Sequence, residues 1–125
     1  MSKLEAMLGQ FAKAVERLSE VLKIPGTDIV RDSAIQRFEF CADLAWKTLK
    51  AYLEENKGLI AHSPKDCFKQ GYASGIIDYD ETWLEIVDMR NETVHTYKEE
   101  IANDIYAKLP EILPYFKLLL DKLKN

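Results

Sequence analysis

Apolar residues recur at Leu4, Leu8, Phe11, Val15, Leu18 and Leu22, with spacings of 4, 3, 4, 3 and 4. That rhythm lays a single apolar stripe along a helix. Ser2-Lys3-Leu4-Glu5 supplies a capping-box start, and Ile24-Pro25-Gly26-Thr27 breaks the pattern. A helix is therefore predicted from about Ser2 to Lys23. A second stripe runs through Ile35, Phe38, Ala42, Ala45, Leu49 and Tyr52, widened by Cys41, Trp46 and Leu53. It predicts a long helix from about Asp28 to Asn56, with Gly58 placed to take the left-handed position past its end. Ser63-Pro64-Lys65-Asp66 is a further start: serine cap, proline at the first helical position, acid at the third. A short helix to about Ala73 follows, stopped by Gly75.

Asp80-Glu81-Thr82 opens the next helix, with acids where the helix dipole favours them. Trp83, Val87, Arg90, Val94 and Tyr97 share one stripe, and an arginine among apolar positions is its oddity. The last segment carries Ile101, Ile105, Leu109, Ile112, Phe116, Leu119 and Leu123 at helical spacing, with Pro110 and Pro114 inside it. Each proline removes a backbone donor and crowds the preceding turn, so a kink or break is predicted near Tyr106–Pro110. No strand-like alternation, hairpin signal or internal repeat interrupts this reading. The pattern predicts an all-α chain: an antiparallel up-down four-helix bundle with one extra short helix, a single domain over residues 1–125.

Composition narrows the class. The 125 residues are 47% hydrophobic and 30% charged, which fits neither a disordered chain nor a membrane protein. No apolar run approaches the roughly 20 residues needed to span a bilayer. The N-terminus lacks a signal-peptide apolar region, so a cytoplasmic location with no membrane partner is expected. Cys41 and Cys67 have no metal-like or redox-like spacing and are expected to be reduced core residues. Net charge is −4, from 17 basic and 21 acidic residues. That argues against a sequence-independent nucleic-acid coat, which needs a basic face to displace counterions, but leaves room for a local basic cleft. The stretch from Asp78 to Glu100 is the acidic part, with eight acids against Arg90 and Lys98.

Few constellations carry chemistry. Asp28 with Asp32, Glu81 with Glu85, and Asp88 with Glu92 are each one helical turn apart, yet none has the Glu-x-x-His pattern of bundle di-iron sites. Gly71-Tyr72-Ala73-Ser74-Gly75 lacks the trailing Lys-Ser/Thr of a phosphate loop. His62 and His95 lie 33 positions apart without further ligands, so neither a metal nor a cofactor is expected. His62 reads as a loop residue. His95 stands out through its neighbours, Arg90-Asn91-Glu92-Thr93-Val94-His95-Thr96-Tyr97. Arginine offers a rigid fork of donors to phosphate oxygens, and histidine exchanges protons near neutral pH. Together they suffice for metal-free cleavage of RNA, with His95 acting on the 2′-OH or the leaving oxygen and Arg90 holding the phosphorane charge. DNA lacks that hydroxyl. On an ideal helix, however, Arg90 and His95 sit about 140° apart. Either the helix is distorted there or a second copy of the chain completes the site. From spacing alone, an Arg–Glu surface pair and a helix-capping histidine explain the same residues.

The fuller motif, Arg90-x4-His95-x-Tyr97, resembles the HepT-like branch of the HEPN domains (higher eukaryotes and prokaryotes nucleotide-binding). The block Ile35-Gln36-Arg37-Phe38-Glu39-Phe40-Cys41-Ala42-Asp43-Leu44-Ala45-Trp46-Lys47 resembles that branch's second helix. The likeness extends from about Leu4 to Lys122. It implies a homodimer with the motif lining a cleft between subunits, and a partner, a minimal nucleotidyltransferase. In the toxin–antitoxin version of the family, the HEPN chain is a ribonuclease that its partner silences by adding AMP to the motif tyrosine. By resemblance, Arg90 binds phosphate, His95 is the acid–base residue, Asn91 is the polar residue beside the arginine, and Tyr97 is the modification target. The alternative role is a non-catalytic subunit presenting a nucleotide or substrate to the nucleotidyltransferase, with RNA or a nucleotide as the bound partner in either case. Acidic residues around the motif oppose RNA unless Arg31, Arg37 or lysines enter the cleft. For Tyr97, burial on the apolar stripe competes with exposure for modification. Modification requires an exposed hydroxyl, so the helix is predicted to end or loosen near His95–Lys98 and bring Tyr97 to the cleft mouth.

Overall fold

The structure, a computed structural model, describes residues 2–124. Four of its helices begin where side chains satisfy their first orphan N–H groups. Helix α1 (Lys3–Val21) starts on Ser2, whose hydroxyl accepts from the Glu5 N–H at 3.1 Å. Helix α2 (Asp28–Lys57) starts on Thr27, whose hydroxyl accepts from the Val30 N–H at 3.1 Å, and it ends on Gly58 with φ of 64°. Helix α3 (Pro64–Ala73) starts on Ser63, whose hydroxyl accepts from the Asp66 N–H at 3.1 Å. Helix α4 (Thr82–Glu92) follows Asp80, whose carboxylate takes the Thr82 N–H at 2.9 Å. Helix α5 (Glu99–Lys124) closes the fold. No strand occurs among the described residues.

Helices α1, α2 and α5 pack on one another, α4 lies against α2 and α5, and α3 bridges α2 and α4. Contacts at the helix ends fix the directions. Just before α4, Asp80 accepts from the Tyr115 hydroxyl at 2.7 Å, in the second half of α5. At the start of α2, Arg31 donates to Asn103 at 3.0 Å, near the start of α5. So α4 runs against α5 while α2 runs with it, as an up-down order demands. The fourth corner of the bundle is thin, because α4 has only 11 residues. Helix α3 thickens it, its Phe68 ring stacked on Trp83 at 4.7 Å.

Phe116 of α5 is the hub of the core. It is fully buried, and its ring meets Phe11 of α1 at 6.3 Å, Phe38 of α2 at 6.1 Å and Trp83 of α4 at 6.3 Å. Cys41 and Cys67 are free and buried within the same core, and burial foremost pushes each thiol up to about 12.

Two expectations are corrected. The break near Tyr106–Pro110 is not there: α5 is one helix across both prolines. Pro110 and Pro114 are one turn apart on the exposed side, where water can replace the hydrogen bonds that a proline cannot donate. Opposite them, Leu109, Ile112, Phe116 and Leu119 pack without interruption. The stripe from Trp83 to Tyr97 is also not one helical face. It buries Trp83, but helix α4 stops at Glu92, and Val94 and Tyr97 are 66% and 75% exposed.

Two substitutions read this packing in opposite directions. Phe116→Ala removes the ring that joins the helices and should cost about 3–5 kcal/mol in urea unfolding. Thr48 is fully buried and its hydroxyl has no hydrogen-bond partner among the described residues. Thr48→Val should therefore raise stability by about 1 kcal/mol.

Candidate functional site

The site grows from the end of α4. After Glu92 the chain tightens into a 3-10 turn, Thr93–His95. Thr93 is buried, and its hydroxyl donates to the Arg90 carbonyl at 2.7 Å while accepting from Arg90 Nη1 at 2.9 Å. Thr96 repeats the device, its hydroxyl donating to the Thr93 carbonyl at 2.8 Å. Such local side-chain bonds compete with the α-helical ladder and end it. The segment then turns over, the Lys98 N–H donating to the His95 carbonyl at 3.0 Å, and α5 begins.

Arg90 points inward to α2. Its Nε donates to Asp43 Oδ1 at 2.9 Å and its Nη2 to Asp43 Oδ2 at 3.2 Å, the two-pronged geometry that suits a guanidinium. Glu39, one turn earlier on α2, lies 3.6 Å from Nη1. The Asp43 hydrogen bonds foremost, with the Asp43 and Glu39 charges, outweigh partial burial and hold the arginine's pKa above its ordinary value. With its side chain 30% exposed, Arg90 keeps a face to solvent. It lines a groove of about 250 Å³ with Asn91, Val94, Asp43, Trp46 and Val87.

The structure thus joins Arg90 and Asn91 at one groove. His95 is not among that groove's walls. It is exposed on the 3-10 turn, its ring 6.2 Å from that of Tyr97. Tyr97 is not a core tyrosine. It lines a neighbouring cleft of about 240 Å³ with Thr96, Glu39, Gln36 and Asp32, and Lys98 Nζ lies 5.9 Å from its ring centre. Glu39 stands between the two clefts, touching Arg90 from one and lining the other.

Sequence reasoning missed Glu39, Asp43 and Thr93 as partners of the motif. The available signal was Arg90 itself: a cation on an apolar stripe needs a carboxylate when it is brought against a core. Of the cations expected to offset the acidic motif, Arg31 is committed elsewhere. It is buried and holds Asp32 at 3.0 Å, Asp28 at 3.8 Å and Glu99 at 3.9 Å, and the Asp32 hydrogen bond foremost raises its pKa. This also accounts for the Asp28–Asp32 pair. Asp88 likewise meets Lys65 at 2.8 Å. Among the described residues no group of three or more His, Cys, Asp or Glu side chains is placed to hold a metal ion. A larger cavity, about 640 Å³, lies between α4 and α5, rimmed by Glu85, Glu92, Asp104 and Glu111. Its charge suits no phosphate, and it does not include Arg90 or His95.

Residues 3–125 match the family described as nucleotidyltransferase substrate binding protein like. The chain belongs to that family. It is 34% identical over 105 residues to a protein of Haemophilus influenzae named probable ribonuclease HepT, covering 78% of this chain and 72% of that relative. A crystal structure of a Thermus thermophilus protein superposes with a TM-score of 0.86 at 36% identity, over 92% of this chain and 99% of that one. A second structure, from Haemophilus influenzae and described as the fold of a substrate binding domain of a nucleotidyltransferase, gives 0.69 at 27% identity, over 98% and 97%. The all-α bundle and the HepT-like resemblance of the sequence hold. Among the described residues no helix is long and apolar enough to cross a membrane.

Because two carboxylates compete for the Arg90 guanidinium, Asp43→Asn should release it toward external oxyanions. Isothermal titration with inorganic phosphate should show several-fold tighter binding than the parent chain, and none for Arg90→Ala. Equal heats in all three would show that Arg90 is not the anion-binding group.

Proposed function

We propose that this chain is a HepT-like subunit of a two-component system with a minimal nucleotidyltransferase, and that it is a metal-independent endoribonuclease. The observation that supports this most is the form of the motif: Arg90 anchored at a groove, followed by a 3-10 turn that puts His95 and Tyr97 in solvent. The H. influenzae relative named probable ribonuclease HepT gives the reading its precedent. In the reaction, the 2′-OH of RNA attacks the adjacent phosphorus as a histidine removes its proton. The bond to the 5′-oxygen breaks and that oxygen takes a proton, leaving a 2′,3′-cyclic phosphate and a 5′-hydroxyl. Arg90 stabilises the charge on the phosphorane oxygens, and Asn91 offers a polar contact beside it.

One chain gives one such histidine, so base and acid come from two copies of the chain facing each other. The homodimer also supplies the cover that the groove beside Arg90 needs, where Val94 is 66% exposed next to Trp46 and Val87. The nucleotidyltransferase would silence the enzyme at Tyr97. The tyrosine oxygen attacks the α-phosphorus of ATP, forming a phosphodiester to AMP and releasing pyrophosphate, with the phenolic proton passing to solvent. Exposure of Tyr97 favours this role over packing.

One observation favours the alternative, a non-catalytic subunit that presents a nucleotide or substrate to the nucleotidyltransferase. Asp43 and Glu39 together outweigh the charge of Arg90, which weakens its hold on a polyanion. Cleavage assays separate the two. His95→Ala should lower RNA cleavage by roughly 10²–10⁴-fold with an unchanged melting temperature, and EDTA should have no effect on the parent chain. Absence of cleavage in every form would leave the binding role.

With ATP, Mg²⁺ and the cognate nucleotidyltransferase, intact mass should show added AMP, and Tyr97→Phe should show none while still cutting RNA. AMP on another residue would remove the regulatory role of Tyr97.

A further inference from the structure

The motif sits in an acidic setting: Arg90 is held by Asp43, Arg31 by Asp32 and Lys65 by Asp88, and Lys98 lies over the Tyr97 ring. A cluster of uncommitted positive charge lies on another flank of α2. There Lys13 and Arg17 of α1 and Arg37 of α2 surround a groove of about 270 Å³, with Gln10, Ala14, Leu44 and Phe40 completing its walls. No acid lines it. None of the three cations has an ion-pair partner among the described residues. Arg37 Nη1 donates to the Arg17 carbonyl at 2.8 Å, which fixes the guanidinium at the groove and leaves its other N–H groups free of protein acceptors.

Phe40 is 52% exposed. A phenylalanine half in water, beside cations and with no carboxylate in its groove, combines the two parts of a single-strand nucleic-acid site: a ring for a base to stack on and charges for the flanking phosphates. Duplex RNA keeps its bases stacked inside the helix and offers none to such a ring. The groove also adjoins the motif through α2. On an ideal helix Phe40 is about 60° from Asp43 and one residue from Glu39, the two side chains that hold Arg90.

We propose that the α1–α2 groove binds single-stranded RNA, Phe40 stacking on one base while Lys13, Arg17 and Arg37 contact the neighbouring phosphates. This extends the ribonuclease reading, since it supplies the attraction that the acidic motif lacks and brings the strand to α2 beside Arg90.

The test reads binding without chemistry. A fluorescein-labelled 2′-O-methyl oligouridine 12-mer has no free 2′-OH to react, and its anisotropy is followed against salt. The Lys13→Gln/Arg17→Gln double variant changes two exposed α1 side chains and should fold as the parent does. It should weaken binding at least tenfold and flatten the log–log salt slope by about 1.4, at about 0.7 per single-strand phosphate contact. Phe40→Leu keeps an apolar side chain but no ring face, and should weaken binding several-fold with the slope unchanged. Unchanged affinity in both groove variants, or no binding by the parent chain, overturns the proposal. So does a change of mass in light scattering without a change of affinity, which would make the groove a contact between copies. If binding maps to the groove yet no form cleaves RNA, the groove stands and the ribonuclease reading falls.

Discussion

The two-pronged bond between Arg90 and Asp43 is the constraint on which the functional end of the molecule depends. It ties the last turn of α4 to the middle of α2 across 47 residues of sequence. Its partner contact is local: Thr93 takes one N–H of the same guanidinium and gives its own proton to the Arg90 carbonyl. One side chain therefore does two things at once. It docks a short helix that has little apolar face of its own, burying Trp83 and Ile86, and it helps end that helix where the motif begins. Had α4 continued, Tyr97 would lie on the same stripe as Trp83 and face the core. Because it stops, His95 and Tyr97 reach water.

The same bond imposes a cost on function. A guanidinium held by one carboxylate and approached by a second is well oriented but poorly charged toward a polyanion. Orientation favours catalysis, since an arginine fixed before the reaction loses little entropy when the phosphorane forms. Attraction must then come from elsewhere on the surface. The proposed source is the α1–α2 flank, where Lys13, Arg17 and Arg37 line a groove without acids. Separating the residue that stabilises charge from the residues that gather substrate would reconcile a net charge of −4 with the proposed RNA-directed activity.

Much of the fold was legible because it is local. The α1 stripe, the caps at Ser2 and Ser63 and the left-handed Gly58 follow from spacing and backbone preference within a few residues. The direction of each helix followed from short connections. What was not legible depends on tertiary placement. The prolines of α5 look like breakers until their exposed side is known, since the missing hydrogen bonds matter less where water replaces them. Arg90 drew notice in the sequence, but Asp43 and Glu39 became its partners only when α4 was laid against α2. The motif residues were found by their pattern. That α4 yields to a 3-10 turn at Thr93 depends on a hydroxyl bond that no periodicity encodes, although the exposure required of Tyr97 already implied a loosened helix.

In the proposed reaction the Arg90–His95 motif cuts RNA through the RNA's own 2′-hydroxyl. The most direct measurement is mass spectrometry of the ends formed when the purified chain cleaves a defined single-stranded RNA in excess EDTA. The expected products carry 2′,3′-cyclic phosphate and 5′-hydroxyl ends, with no scission where the attacking nucleotide is replaced by its 2′-deoxy form. Products carrying 5′-phosphate and 3′-hydroxyl ends, or cleavage that persists at the deoxy position, would contradict that reaction.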